Sequence, residues 1–324
     1  MRIVKVNKDS IANILSDLLK RSPTNYGDFQ DKVDAIIKNV RDNGDKAVFD
    51  YTAQFDKAEI NADNILVTEE EIKEAYEEVD DELIKVIRKA IKNIRDFHEK
   101  QIQKSWFETR EDGVMLGQKV TPMETCGVYV PGGKAVYPSS VLMNIVPAHV
   151  AGVKNIIMTT PPGKDGKVTA NTLVAAKEAG ATKVYKVGGA QAIAAMAFGT
   201  ESIPKVDKIV GPGNIFVALA KKAVYGNVSI DSIAGPSEIL VLADETANPR
   251  YVAADLLSQA EHDEMASAIL VTTSEELAHK VSDEIDGFLN QLSRKEIMEK
   301  SLDSFGYILV ASDMKEAIDT ANAI

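Results

Sequence analysis

After Gly113 the chain alternates short runs rich in β-branched residues with small-residue segments long enough to be helices, and few folds tolerate that alternation. The apolar runs are residues 127–130, 154–159, 183–187, 208–210, 238–243, 267–272 and 306–310. Between them, residues 171–179, 190–198, 215–225, 249–262 and 274–289 have the length of crossover helices. Strand, helix, strand in repetition requires parallel neighbours, because a helix returns the chain to the edge from which it left. The class is therefore α/β, a largely parallel sheet with helices on both faces. A loop at Ala234-Gly235-Pro236 separates the units before it from those after Glu238.

The first 112 residues read differently, as an acidic helical segment. Asp9-Ser10 is expected to cap a helix to about Lys20, and Phe29, Val33, Ile36, Ile37 and Val40 recur at helical spacing. Thr68 and Glu71 stand three apart, the spacing of a reciprocal capping box for a helix from Glu69. Nine acids and one lysine lie between Glu69 and Glu82, but Ile72, Ala75, Tyr76 and Val79 keep an apolar stripe through them, so this is a solvated helix face. A second helix carries Leu83, Ile87, Ile91, Ile94, Phe97 and Ile102 on one side. The expected organisation is three parts: residues 1–112, an α/β lobe at 113–235 and a second lobe at 236–324.

Charge narrows the partners. With 37 Lys and Arg against 49 Asp and Glu, the formal net charge of −12 repels phosphate backbones and anionic lipid, so neither nucleic acid nor membrane is expected. The longest apolar run, residues 141–153, is interrupted by Asn144, Pro147 and His149 and is too short for a membrane span. The single cysteine, Cys126, fits a reducing compartment, and a cytoplasmic protein is expected.

In a parallel sheet, ligands gather beyond the carboxyl ends of the strands, and three glycine corners fall there. These are Tyr129-Val130-Pro131-Gly132-Gly133-Lys134, Gly188-Gly189-Ala190-Gln191 and Gly211-Pro212-Gly213-Asn214. Each precedes a helix N-terminus, where free amides and the helix dipole favour anionic groups, as in a bound dinucleotide. The standard fingerprints are absent. Phe216 stands where a third glycine would complete Gly-x-Gly-x-x-Gly, and no Gly-Lys pair continues with Ser or Thr. Gly235-Pro236-Ser237-Glu238 lacks the second glycine of a nucleophile elbow.

Of four histidines, His98, His149 and His279 read as packed or exposed, whereas His262 lies three residues after Gln259 and seven after Asp255 on the helix expected from Pro249 to Asp263. One face would then present an amide oxygen, an imidazole and a possible carboxylate, a grip for a divalent metal or a polar substrate. By itself the pair supplies two good donors where a catalytic zinc takes three, so a satisfied surface histidine stays open beside a metal ligand. Cys126, in an apolar context without a basic neighbour, reads as inert.

Five blocks in order resemble one family, histidinol dehydrogenase: residues 127–133, 187–195, 205–214, 234–238 and 255–262. The resemblance is dense from Gly113 to Asp263. It implies two Rossmann-like, incompletely dinucleotide-type parallel-sheet lobes and the NAD- and zinc-dependent oxidation of L-histidinol to L-histidine through the aldehyde, in histidine biosynthesis. By motif, Tyr129, Gln191 and Asn214 would contact NAD, Ser237 the substrate, and Gln259 with His262 both zinc and substrate. The family's zinc orients the substrate, and a Glu-His pair supplies base and water activation. No residue through Ile324 matches that pair, the remaining zinc ligands or the family's C-terminal dimer-forming part, so no catalytic residue is assigned in this chain. The expectation is a chain ending before the family's remaining part, nearly inert alone and a homodimer at full length. The alternative is a non-catalytic α/β module, derived from that family, that binds a small molecule or metal.

Overall fold

In the computed structural model the described residues are 1–19, 27–132, 138–233 and 238–324. By its contacts the chain divides into two compact units: Gly27–Ala234, and Met1–Tyr26 with Gly235–Ile324. The second boundary falls one residue from the expected one. The first does not fall at 112: β1 (Arg2–Lys5) and α1 (Lys8–Leu19) belong to the smaller unit, and the rest of the acidic start belongs to the larger. The physical reason is pairing and burial, since β1 adds a strand to the smaller unit's sheet while the later helices bury apolar faces on the larger unit's core. Helix α1 begins at Lys8, so Asp9 and Ser10 lie in its first turn and not ahead of it.

The larger unit opens with α2 (Gly27–Phe55), α3 (Glu69–Glu78) and α4 (Asp81–His98). Helix α2 is broken at Gly44, whose φ of 54° lies in the left-handed region, and a Cβ there would collide with the Glu201 carboxylate. That carboxylate accepts from the Asp45 N–H (2.8 Å) and so starts the second half of the helix. The capping box at α3 forms as spaced, with Glu71 N–H on Thr68 Oγ1 (3.2 Å) and Thr68 N–H on Glu71 Oε2 (2.8 Å). Glu71 also pairs with the buried Lys186 ammonium. Burial pushes the Glu71 carboxyl up, but Lys186 and Thr68 outweigh it and hold it below its ordinary value. Helix α4 buries Ile84 and Ile87, yet Phe97 at its far end and Ile102 beyond it are exposed, so the apolar stripe outruns the core.

A hairpin of β2 (Trp106–Thr109) and β3 (Met115–Gln118) follows, exposed along its whole length. The five-stranded sheet comes next: β4 (Thr125–Tyr129), α5 (Pro138–Val150), β5 (Asn155–Thr160), α6 (Ala170–Ala179), β6 (Lys183–Lys186), α7 (Gly189–Phe198), β7 (Lys208–Val210), α8 (Ile215–Val224) and β8 (Ser229–Ile230). All its ladders are parallel, in the order β6-β5-β4-β7-β8. Numbered within the sheet this is 3-2-1-4-5, a dinucleotide-fold order lacking its sixth strand. The order reverses between β4 and β7, which opens a crevice at their carboxyl ends.

The smaller unit completes itself with β9 (Glu238–Ala243), α9 (Pro249–Ala260), β10 (Ser267–Thr272), α10 (Glu275–Leu289), α11 (Lys295–Phe305), β11 (Gly306–Val310) and α12 (Met314–Ala323). Its four strands are all parallel, in the order β1-β11-β10-β9. Ala268, Leu270 and Ile308 face one layer of helices, and Ile269, Val271 and Leu309 the other. The molecule is therefore α/β with two incomplete parallel-sheet lobes, as its alternating pattern implies.

Candidate active site

In the larger unit, loops after four parallel strands converge on one cavity of about 580 Å³. Tyr129, Pro131 and Gly132 come from the end of β4, residues 161–164 from β5, Gly189, Ala190 and Gln191 from β6, and Asn214 and Phe216 from β7. The three glycine corners are thus brought together, with Tyr129, Gln191 and Asn214 on one wall system. Gly133 and Lys134 lie outside the described residues.

The corner after β7 is held from below. Gly211 has φ 117°, and a Cβ there would overlap the Tyr129 carbonyl, so the approach of the two strand ends requires glycine. Lys221, 3% exposed, donates to the Gly211 carbonyl (2.9 Å) and pairs with Asp231, whose carboxylate accepts from the Gly211 N–H (2.8 Å). Asn214 caps α8 through Oδ1, which accepts from Phe216 N–H (3.1 Å) and Val217 N–H (3.3 Å). Its amide nitrogen is the end left to meet a ligand.

Gln191 is 1% exposed, and neither Oε1 nor Nε2 has a hydrogen-bond partner. A buried amide with both ends unpaired costs a few kcal/mol unless something fills the site. The Tyr129 hydroxyl accepts from the Gly189 N–H (3.1 Å) and keeps its proton for another acceptor. Burial pushes this phenol up to about 12, against the Gly189 amide and with help from the Asp56 charge, so it is a donor at neutral pH. Helix α7 begins behind Gly188, which offers no side-chain cap, and since the Gly189 N–H is taken by Tyr129, the next amides of its first turn remain for an anionic group. These features fit a dinucleotide: a glycine-lined approach, an open helix N-terminus and orphaned amide atoms in a cleft at the switch point.

Asp56 is the residue that sequence reasoning missed. It follows α2 and lines the same cavity, its Oδ2 is buried without a partner, and burial pushes its carboxyl up to about 6. A larger hollow of about 710 Å³, lined in part by Cys126, Met143 and Lys208, holds no such orphaned atom among the described residues. Burial pushes the Cys126 thiol up to about 11, so it is no thiolate nucleophile.

In the smaller unit, α9 ends at Ala260, so His262 lies past the helix and not on it. The stop has a local cause: Asp263 accepts from the Met265 N–H (2.7 Å) in an Asx turn that competes with further helix. His262 N–H donates to the Gln259 carbonyl (3.2 Å), which keeps the two residues on one turn at the negative end of the helix dipole. His262 and Asp255 are exposed and Gln259 half-buried. Among the described residues no three His, Cys, Asp or Glu side chains stand close enough to hold a metal. Ser237 lies outside the described residues.

A family model described as histidinol dehydrogenase matches residues 19–324. The histidinol dehydrogenase of Bacillus subtilis (strain 168) is 58% identical over 322 residues, which cover 99% of this chain and 74% of that protein. That of Aquifex aeolicus (strain VF5) is 54% identical over 326 residues, covering 100% and 75%. The crystal structure of histidinol dehydrogenase from Elizabethkingia anophelis superposes with a TM-score of 0.91 at 40% identity, covering 99% of this chain and 73% of that one.

Proposed function

Because this chain belongs to the histidinol dehydrogenase family of oxidoreductases, which serves histidine biosynthesis, we propose that its cavity binds NAD and that its substrate is L-histidinol, oxidised through the aldehyde to L-histidine. The observation that carries the cofactor assignment is the Gln191 amide, buried and unpaired on the wall of a cleft at the sheet's switch point. NAD, when bound, accepts hydride from the carbinol carbon.

The chain's own residues bind and orient. Gln191 offers one donor pair and one acceptor, matched to an amide or a hydroxyl-bearing sugar. Tyr129 donates its phenol proton while the Gly189 amide fixes its direction. Asn214 presents the amide nitrogen left over from capping α8. The uncapped first turn of α7 takes a phosphate oxygen. Pro131, Pro161, Pro162 and Phe216 supply apolar wall and exclude water from the cleft.

Zinc is part of the same reading. Gln259 and His262 are two of its donors, and Ser237 with them holds the substrate. Two donors among the described residues do not make a zinc site, because a catalytic zinc takes about three protein ligands. No catalytic acid or base is assigned within residues 1–324.

A homodimer is supported by the exposed apolar side chains of the hairpin, Trp106, Phe107, Met115 and Leu116. A cytoplasmic setting is supported by the single buried cysteine. No helix among the described residues is long and apolar enough to cross a membrane.

The test pairs titration calorimetry of NAD with NADH formation from L-histidinol and added zinc. NAD binding with NADH formation that depends on L-histidinol is the expected result. No NAD binding overturns the cofactor assignment, and no NADH from L-histidinol once NAD is bound overturns the assignment of substrate.

A further inference from the structure

The cavity wall carries a carboxylate that the motifs leave without a role. Asp56 follows the end of α2, outside every glycine corner, yet it lines the same cleft as Tyr129, Gln191 and Asn214. Its backbone is fixed on both sides. The Asp56 N–H donates to the Thr52 carbonyl (2.9 Å), and Lys57 turns the chain away with φ 59°, a left-handed conformation rare outside glycine. Lys57 stays on the outside, donating to the Gln54 carbonyl (2.7 Å), and does not neutralise Asp56.

Among the described wall residues the charged ones are Asp56 and Lys164. Lys164 stands on the loop after β5, on the sheet side, where phosphates are drawn also by α7. Asp56 Oδ2 is buried with no hydrogen-bond partner. An ionised carboxylate accepts hydrogen bonds and donates none, so its match in a nucleotide is a hydroxyl or amino group, and its mismatch is a second anion. A ribose diol meets this need with two donors. A ribose 2′-phosphate would set like charges together in a partly desolvated place.

We infer that Asp56 is a specificity-determining residue of the cofactor cleft: its carboxylate accepts from the hydroxyls of the adenosine ribose of NAD and rejects the 2′-phosphorylated cofactor. The inference rests on the proposed placement of NAD in this cavity. It differs from the dinucleotide-fold device in which the acid follows a strand of the sheet, because here a helix from outside the sheet brings it.

The experiment is titration calorimetry of NAD and of NADP into the wild-type chain and into Asp56→Asn and Asp56→Ser, with circular dichroism to confirm that each is folded. The wild type is expected to prefer NAD by tenfold or more, and both substitutions to shrink that ratio by about tenfold. Asp56→Asn removes a buried charge without changing volume, so misfolding is not its expected failure. An unchanged ratio in folded Asp56→Asn overturns the inference while leaving the cofactor site standing. Equal weakening of both cofactors also overturns it, since the carboxylate would then face a group common to the two. A wild type that binds neither cofactor overturns the placement of NAD, and this inference with it.

Discussion

The two sheets are built alike and finish their strands differently. In the smaller unit the helices that follow β9, β10 and β11 are each capped by a side chain of their own. Asn248 accepts from Arg250 N–H (3.0 Å) at α9, Ser274 from Leu277 N–H (3.1 Å) at α10, and Asp313 from Glu316 N–H (2.8 Å) at α12. In the larger unit α7 follows Gly188 and has no side-chain cap, and Gly211 lets the β7 corner approach Tyr129. Side-chain caps satisfy a helix start from within, worth about 1 kcal/mol each, and leave fewer backbone amides for a ligand. Glycine forgoes that stabilisation and leaves the amides and the space to a cofactor. The smaller unit's proposed donors, Gln259 and His262, lie instead at the other end of a helix, in the last turn of α9 and just after it.

Four substitutions test this contrast. The largest effect is expected from Lys221→Met, which removes the buried ammonium that holds the Gly211 carbonyl and the Asp231 carboxylate beneath the corner. Denaturant unfolding should show a loss of about 2 kcal/mol, and NAD affinity should fall because the corner carrying Asn214 loosens. Stability unchanged to within error would mean that the corner does not depend on this pair.

Gln191→Leu should move two measurements in opposite directions. The melting temperature of the unliganded chain rises, because two unpaired buried polar atoms are removed, and NAD affinity falls by about tenfold or more. If the two fall together, the amide serves packing and not the cofactor. Ser274→Ala, on the other side of the comparison, should cost about 1 kcal/mol of stability and leave NAD affinity unchanged.

The effect of Asp56→Asn on stability depends on pH. Burial raises this carboxyl from 3.8 to about 6 in the folded chain, so the folded state holds the proton more tightly than the unfolded one. Its contribution to stability is fully present below pH 3.8 and is lost as pH rises through about 6. The asparagine variant should therefore melt higher than wild type above pH 6, with the gain shrinking toward pH 4. A gain that is constant across the range would show that desolvation of the charge is not its source.

Periodicity and corner chemistry were enough to read the large elements. Strands β7, β9, β10 and β11 begin and end where the apolar runs do, and the Thr68 and Glu71 box forms at α3. The glycine corners meet because parallel strands bring their carboxyl ends to one edge. What could not be read depends on distance along the chain. The four residues of β1, from Arg2 to Lys5, show no alternation and become a strand because β11 offers them an edge. Asp56 is one acid in an acidic segment, and burial alone sets it apart. His262 seemed helical by spacing, but the Asx turn at Asp263 ends the helix first.

The pairing of β1 with β11 also orders events during synthesis. The larger unit is an unbroken stretch of chain and is free to close as soon as its last strand, β8, has left the ribosome. The smaller unit must hold its opening strand idle until Gly306–Val310 emerges and provides the edge it joins. A nascent chain stalled before that point would carry a finished larger unit and an unpaired β1, an early target for proteases or chaperones.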